Sequence, residues 1–175
     1  MTKKLLKRIG FFAAIAALAI IVIGSYYLGQ RTTKEQRSVM VSSPATDEIA
    51  VKLYCYNKLK DKDRSLLPEF VLPVARTIPR TKSLIKDTLD LLLKGELIWK
   101  EKASGFETEF PHPDFKLKSA TLRNGVLTLE FPEVPGFTSG GAGRIGLLSA
   151  QIRKTAKQFP QVKIVRFEPE YLFQP

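Results

Sequence analysis

LRNGVLTLEF, residues 122–131, decides how this chain folds, because Asn124-Gly125 suits the two positive-φ positions of a type I′ hairpin. A two-residue loop there sets Leu122 opposite Leu127 and Ala120 opposite Leu129, so both strands offer apolar residues to one face. Upstream, Phe115 and Leu117 are out of step with Ala120 and Leu122, which predicts a bulge or bend at Lys118 and Ser119. Downstream, after the glycine-rich loop Ser139 to Gly143, Ile145, Leu148, Ile152, Ala156 and Phe159 recur at helical spacing until Pro160 ends the run. Val162 to Phe167 then reads as a closing strand.

The stretch before the hairpin has its own periodicities. Ile49, Val51, Leu53 and Cys55 alternate with polar or aromatic neighbours, the pattern of a half-buried strand, and a polar loop from Asn57 to Ser65 follows. Val71 to Ile78 is interrupted by Pro73 and closed by Pro79, which fits an edge strand or an ordered lead-in, since proline removes a ladder donor. Ser83 is placed to cap a helix carrying Ile85, Leu89, Leu92 and Leu93, with Lys94 in its last turn and Gly95 just beyond. Glu96 to Pro113 reads as irregular, with Trp99 and Phe106 as hydrophobic plugs. The order strand, helix, two strands, helix, strand predicts an α/β (α+β) domain of split βαβ type, one antiparallel or mixed sheet covered by two helices.

Ahead of this domain, Ile9 to Gly29 is a run of 21 uncharged positions, preceded by Lys3, Lys4, Lys7 and Arg8. About 20 apolar residues in a helix span a bilayer core, so 9–29 is expected to be a transmembrane signal-anchor. The basic flank 1–8 keeps the N-terminus cytoplasmic and places the rest outside the membrane. A cleaved signal peptide is the rival reading, although no A-x-A site follows the apolar run; both readings export the same domain. Residues 30–48 are polar and read as a tether, leaving 49–175 as the domain.

The net charge of +11 divides unevenly. Four positive charges belong to the flank, the tether is balanced at three against three, and the domain has 21 Lys and Arg against 14 Asp and Glu, a surplus of seven. That surplus favours anionic lipid, wall polymer or an acidic protein. No basic run interleaves with stacking aromatics, so nucleic acid is not expected as a partner. The single cysteine, Cys55, excludes an internal disulfide and reads as a small buried hydrophobe on a strand.

The residues resemble the GerM domain family, also called GerMN, named for a bacterial sporulation and germination protein. The resemblance is carried by VKLYCYN at 51–57, Arg76-Thr77-Ile78-Pro79, LLLKG at 91–95, GFETEFP at 105–111, the hairpin itself, and the closing run GGAGRIGLLSAQIRKTAKQFPQVKIV from Gly140. It implies an extracytoplasmic α/β domain with no known enzymatic activity, tethered by a lipid or a membrane helix, and similar to the ring-building motifs of secretion and sporulation machines. This chain departs from the family's namesake in having one domain copy instead of two and an apolar anchor in place of a lipidated cysteine. Glu96 also follows Gly95 where the family often has proline.

Candidate chemistry is sparse. His112, the only histidine, lies between two prolines with no local nucleophile or carboxylate arranged as a triad, so no catalytic residue is expected. Glu107, Glu109, His112 and Asp114 lack the spacing of a recognised metal loop, and neither metal nor cofactor is expected. Gly140, Gly141 and Gly143 before Arg144 resemble an anion cradle at a helix start, a place for an anion or partner contact; close packing of the helix explains the glycines equally well. Leu84 and Leu91 flank the first helical stripe, as core margin or as a partner face. The expected function is therefore non-enzymatic assembly in the bacterial cell envelope, by self-association or with another envelope protein through a helix face or sheet edge. Binding of anionic cell-wall polymer is the alternative, and a wall hydrolase has only His112 to rest on.

Overall fold

Asn124 and Gly125 adopt φ of +49° and +80°, and the turn they form fixes the hairpin in the expected register, Leu122 against Leu127 and Ala120 against Leu129. This computed structural model describes residues 47–174; the expected anchor and nearly all of the tether lie outside the described residues. Among those described, no helix is long and apolar enough to cross a membrane.

In chain order the elements are β1 (Glu48–Asn57), β2 (Val71–Pro79), α1 (Leu84–Leu93), α2 (Trp99–Ala103), β3 (Phe106–Glu107), β4 (Ser119–Arg123), β5 (Val126–Glu130), α3 (Ala142–Lys157) and β6 (Ile164–Glu168). The fold is mixed α/β, but the strands form two three-stranded sheets where one was expected: β2-β1-β3, antiparallel, and β4-β5-β6, in which β5 and β6 run parallel through the α3 crossover. Two features separate the sheets. Past β3 the chain passes Pro111 and Pro113, which cannot donate to a ladder, before β4 begins. The edge of β1 beyond β3 is occupied by α3: the Lys52 N–H donates to Gln158 Oε1 (2.8 Å), Gln158 Nε2 donates to the Lys52 carbonyl (2.7 Å), and the Tyr54 N–H donates to Thr155 Oγ1 (3.0 Å).

Both sheets and both long helices share one core. Val51, Leu53 and Cys55 of β1 meet Leu89 and Leu92 of α1, Leu127 and Leu129 of β5, and the α3 stripe Ile145, Leu148, Ile152 and Ala156, all buried. Each such leucine or isoleucine contributes about 1.5–3 kcal/mol on leaving water. Leu84 and Leu91 pack on the margin of this core, the first of the two roles open to them. The phase break before β4 is present: the Lys118 N–H donates to the Glu130 carbonyl while Ser119 pairs with Glu130, two residues against one, so Phe115, Leu117 and Ala120 all turn toward the core. Leu122 departs from the expected face and is exposed, because packing runs out at the turn end of the edge strand β4.

Several expectations need correction. Glu96 to Pro113 is not wholly irregular but holds α2 and β3, both too short for periodicity to reveal. Trp99 is no plug, being 72% exposed at the first position of α2, whereas Phe106 does pack on the core. Ser83 occupies the N-cap position of α1 without making a side-chain cap bond; Thr81 Oγ1 takes the Ser83 N–H instead. Strand β1 begins within the last two positions of the span read as a tether, since Glu48 already pairs with Pro79 and Asp47 forms an ion pair with Arg80. Counting these two acids with the domain lowers its positive surplus from seven to five.

Candidate functional site

A cleft of about 820 Å³ opens between the N-terminal half of α3 and the strip from β3 to Pro111. Its apolar wall includes Leu66, Leu97, Phe106, Phe110 and Leu147, and its size lies in the range of small-molecule sites.

Local chemistry holds each wall in place. The polar loop after β1 is not merely solvated: buried Asn57 accepts the N–H groups of Leu59 and Lys60 on Oδ1, an Asx-type turn, and donates to the Ser104 carbonyl. Asp61 accepts from the Ser65 N–H and hydroxyl, the Leu66 N–H and the Tyr56 hydroxyl, each at 2.8–2.9 Å. Burial pushes the Asp61 carboxyl up, but these four donors outweigh it and hold the group below the ordinary carboxylate range. Burial, followed by the bond to Asp61, pushes the Tyr56 phenol up to about 12. The same network holds Leu66 at φ +54°, where its side chain packs against Gly143 and forms part of the cleft wall. On the opposite side Gly95, at φ +65°, lets the end of α1 approach the Phe110 carbonyl.

The far rim is braced by Arg76 on β2, whose guanidinium donates to both Glu101 oxygens (2.6 and 2.8 Å) and to the Glu96 carbonyl, while Glu101 also accepts the Ile98 N–H. Arg76 holds the Glu101 carboxyl below its usual value. This pair fixes α2 and presents Ile98 and Trp99 to solvent.

Of the expected site residues Arg144 lines the cleft, while Gly140, Gly141 and Gly143 lie at the start of α3 outside its lining. Gly141 is the N-cap of α3 and Gly140 takes φ +138°, but a Cβ on Gly143 would meet Leu66 at 3.0 Å, so this glycine answers to packing. Arg144 turns inward: Nε donates to Glu109 (2.7 Å), Nη1 donates to the carbonyls of Phe137 and Ser139, and the guanidinium lies over the Phe137 ring. The carboxylates of the lining are likewise engaged, Glu109 with Arg144 and Glu107 with Lys58. His112 stacks on Phe137 at 4.4 Å and its Nδ1 accepts the Asp114 N–H. Cys55 is buried, and its thiol is pushed up to about 12 by that burial, as a structural cysteine should be. Such a lining can hold a ligand by shape and hydrogen bonding.

One cleft residue that the sequence does not single out matters most for its chemistry. Gln151 is 2% exposed, lines the cleft, and its Oε1 has no hydrogen-bond partner among the described residues. The signal was present, because a glutamine three residues after Leu148 and four before Thr155 lies on the buried side of the helix.

With the elements in place, relatives can be compared. A family model described as Germane, sporulation and spore germination, matches residues 52–170. The chain belongs to the Germane family. The matched span runs from Lys52 within β1 through β6 and includes the cleft-lining residues and the Arg76–Glu101 pair of this Germane domain. Among solved structures this Germane domain is similar to the tandem GerMN domains of the sporulation protein GerM from Bacillus subtilis, at 18% identity and a TM-score of 0.49, over 68% of this chain and 38% of that one. It is also similar to the first GerMN domain of the same protein, at 19% identity and a TM-score of 0.46, over 68% of this chain and 80% of that one. The Germane chain thus covers well under half of the tandem structure's length. None of the curated proteins is a match.

Proposed function

We propose that this Germane chain is a membrane-anchored assembly module of the bacterial cell envelope, working outside the membrane and holding protein partners instead of transforming substrates. The observation that carries the reading is the Ile98-Trp99 pair, 56% and 72% exposed, displayed on a helix made rigid by a two-bonded ion pair. Aromatic anchors held in a fixed geometry are the residues that dominate protein contacts, since little side-chain entropy is lost when they are covered. The uncharged run 9–29 supports the anchored topology. Engaged carboxylates make the cleft a poor place for acid–base chemistry, and the only histidine is stacked on Phe137 outside its lining.

The test is photocrosslinking in native membranes, with a benzophenone amino acid at position 99 and at exposed position 116 as a control. A discrete adduct from position 99 alone, a homodimer or a single second protein, is the expected result. Monomer only at native expression refutes the reading, as does salt-sensitive recovery with wall polymer in place of a protein adduct.

A further inference from the structure

We infer that the cleft takes an extended peptide segment, one of whose main-chain amides is bound by Gln151. This rests on the reading that the domain engages protein partners, and it specifies the chemistry of one contact.

The argument starts from the side of α3 that runs beside β1. Gln158 binds the Lys52 peptide group through both of its amide atoms, and Thr155 takes the Tyr54 N–H. Gln151 lies four residues before Thr155 and seven before Gln158, on the same helix face, so it is the next rung of this series. The strand position that would serve it is Tyr56. There the β1 edge is already taken, because Tyr56 pairs with Glu107 of β3. Gln151 therefore has the placement of its two neighbours without the strand they bind, and its Oε1 is left buried and, among the described residues, unpaired. A buried amide oxygen without a donor is rare in folded proteins, and a ligand N–H is what it lacks.

What lies opposite Gln151 across the cleft fits a peptide. β3 is an edge strand of its sheet, with one side unpaired among the described residues, and Phe106, Glu107 and Thr108 line the cleft. An added extended segment can pair with such an edge, while apolar walls such as Phe110, Leu97 and Leu147 receive alternate side chains. Charge gives the preference: Lys58 is neutralised by Glu107 and Arg144 by Glu109, whereas Lys102, also in the lining, has no ion-pair partner among the described residues. An acidic side chain on the peptide suits that rim.

The experiment uses the full chain, isotope-labelled, in detergent micelles. The probe is a pool of random nine-residue peptides, blocked at both ends and each containing one glutamate; the controls are the same pool with N-methylated backbones and a tetramer of N-acetylglucosamine. Gln151 side-chain amide signals, identified by their loss in Gln151→Leu, should shift with the first pool alone. Gln151→Leu should weaken binding at least tenfold, and Lys102→Glu, an exposed change that leaves the fold alone, should weaken it about threefold. Unmoved Gln151 signals overturn the inference, and so does an equal shift with the N-methylated peptides or with the sugar. The two readings part cleanly: a crosslinked partner in membranes together with no peptide binding by the parent chain removes the cleft proposal and leaves assembly standing. Peptide binding without any crosslinked partner in membranes does the opposite.

Discussion

Replacing Gly95 by alanine should be among the most damaging small changes in this domain. A Cβ at that position would lie 1.9 Å from the Phe110 carbonyl oxygen and 2.2 Å from its carbon, where at least 3.0 Å is needed. The obstacle is backbone, so no side chain can swing aside, and Phe110 is itself buried in the core. Holding a non-glycine residue at φ +65° costs about 1–2 kcal/mol, and displacing packed backbone adds about 1–3 kcal/mol, giving roughly 2–5 kcal/mol in all. Two further glycines separate these contributions. Gly136 has φ +79° but no atom within 4 Å of the added carbon, so its alanine variant should lose only about 1 kcal/mol. Gly141 has neither a positive φ nor a neighbour among the described residues, and as the N-cap of α3 its variant should lose no more than about 1 kcal/mol. Urea unfolding followed by far-ultraviolet circular dichroism measures all three, with slopes expected to be unchanged. If Gly95→Ala proves no less stable than Gly136→Ala, the close approach of α1 to the Phe110 strip is wrong, and with it the shape of the cleft.

Other expectations are more local. Glu101→Gln should cost roughly 2–3 kcal/mol through loss of the charged bonds to Arg76, read from the urea midpoint. Because Glu101 titrates below its usual 4.5 when folded, the pair contributes fully above that pH and its contribution is lost as pH falls through the lower folded value, so Glu101→Gln should flatten the acid limb of the stability profile. Gln151→Leu should be neutral or stabilising by about 1 kcal/mol, since it removes an unpaired buried oxygen; a loss of more than that in thermal melts would mean the amide is satisfied in the free protein. Cys55 should resist a thiol-specific disulfide reagent at about pH 8 until urea unfolds the chain, and rapid labelling of the native protein would contradict its burial.

Much of the fold could be read from the residues because it is local. Asn124-Gly125 specifies its own backbone, the α3 stripe repeats over four turns, and Gly95 ends α1 in the left-handed conformation that its type allows. The division into two sheets was not legible, because it depends on Gln158 and Thr155 reaching a strand a hundred positions away. The cleft was hidden for the same reason, its walls coming from separate stretches around Tyr56, Leu66, Gly95, Phe110 and Leu147. Asn57 and Asp61 passed as ordinary loop residues, although their side chains organise the backbone that holds Leu66. Gln151 broke the binary pattern of its helix, and departures of that kind concentrate where a protein does something besides fold.

Trp99 has a further consequence. It is the only tryptophan in the chain and it stands in water, so its emission should already be red-shifted in the folded state and change little when the core melts. Covering it should instead produce a blue shift. The molecule therefore carries a built-in optical label for docking that is nearly blind to unfolding, and the two events can be followed in the same cuvette without attaching a dye.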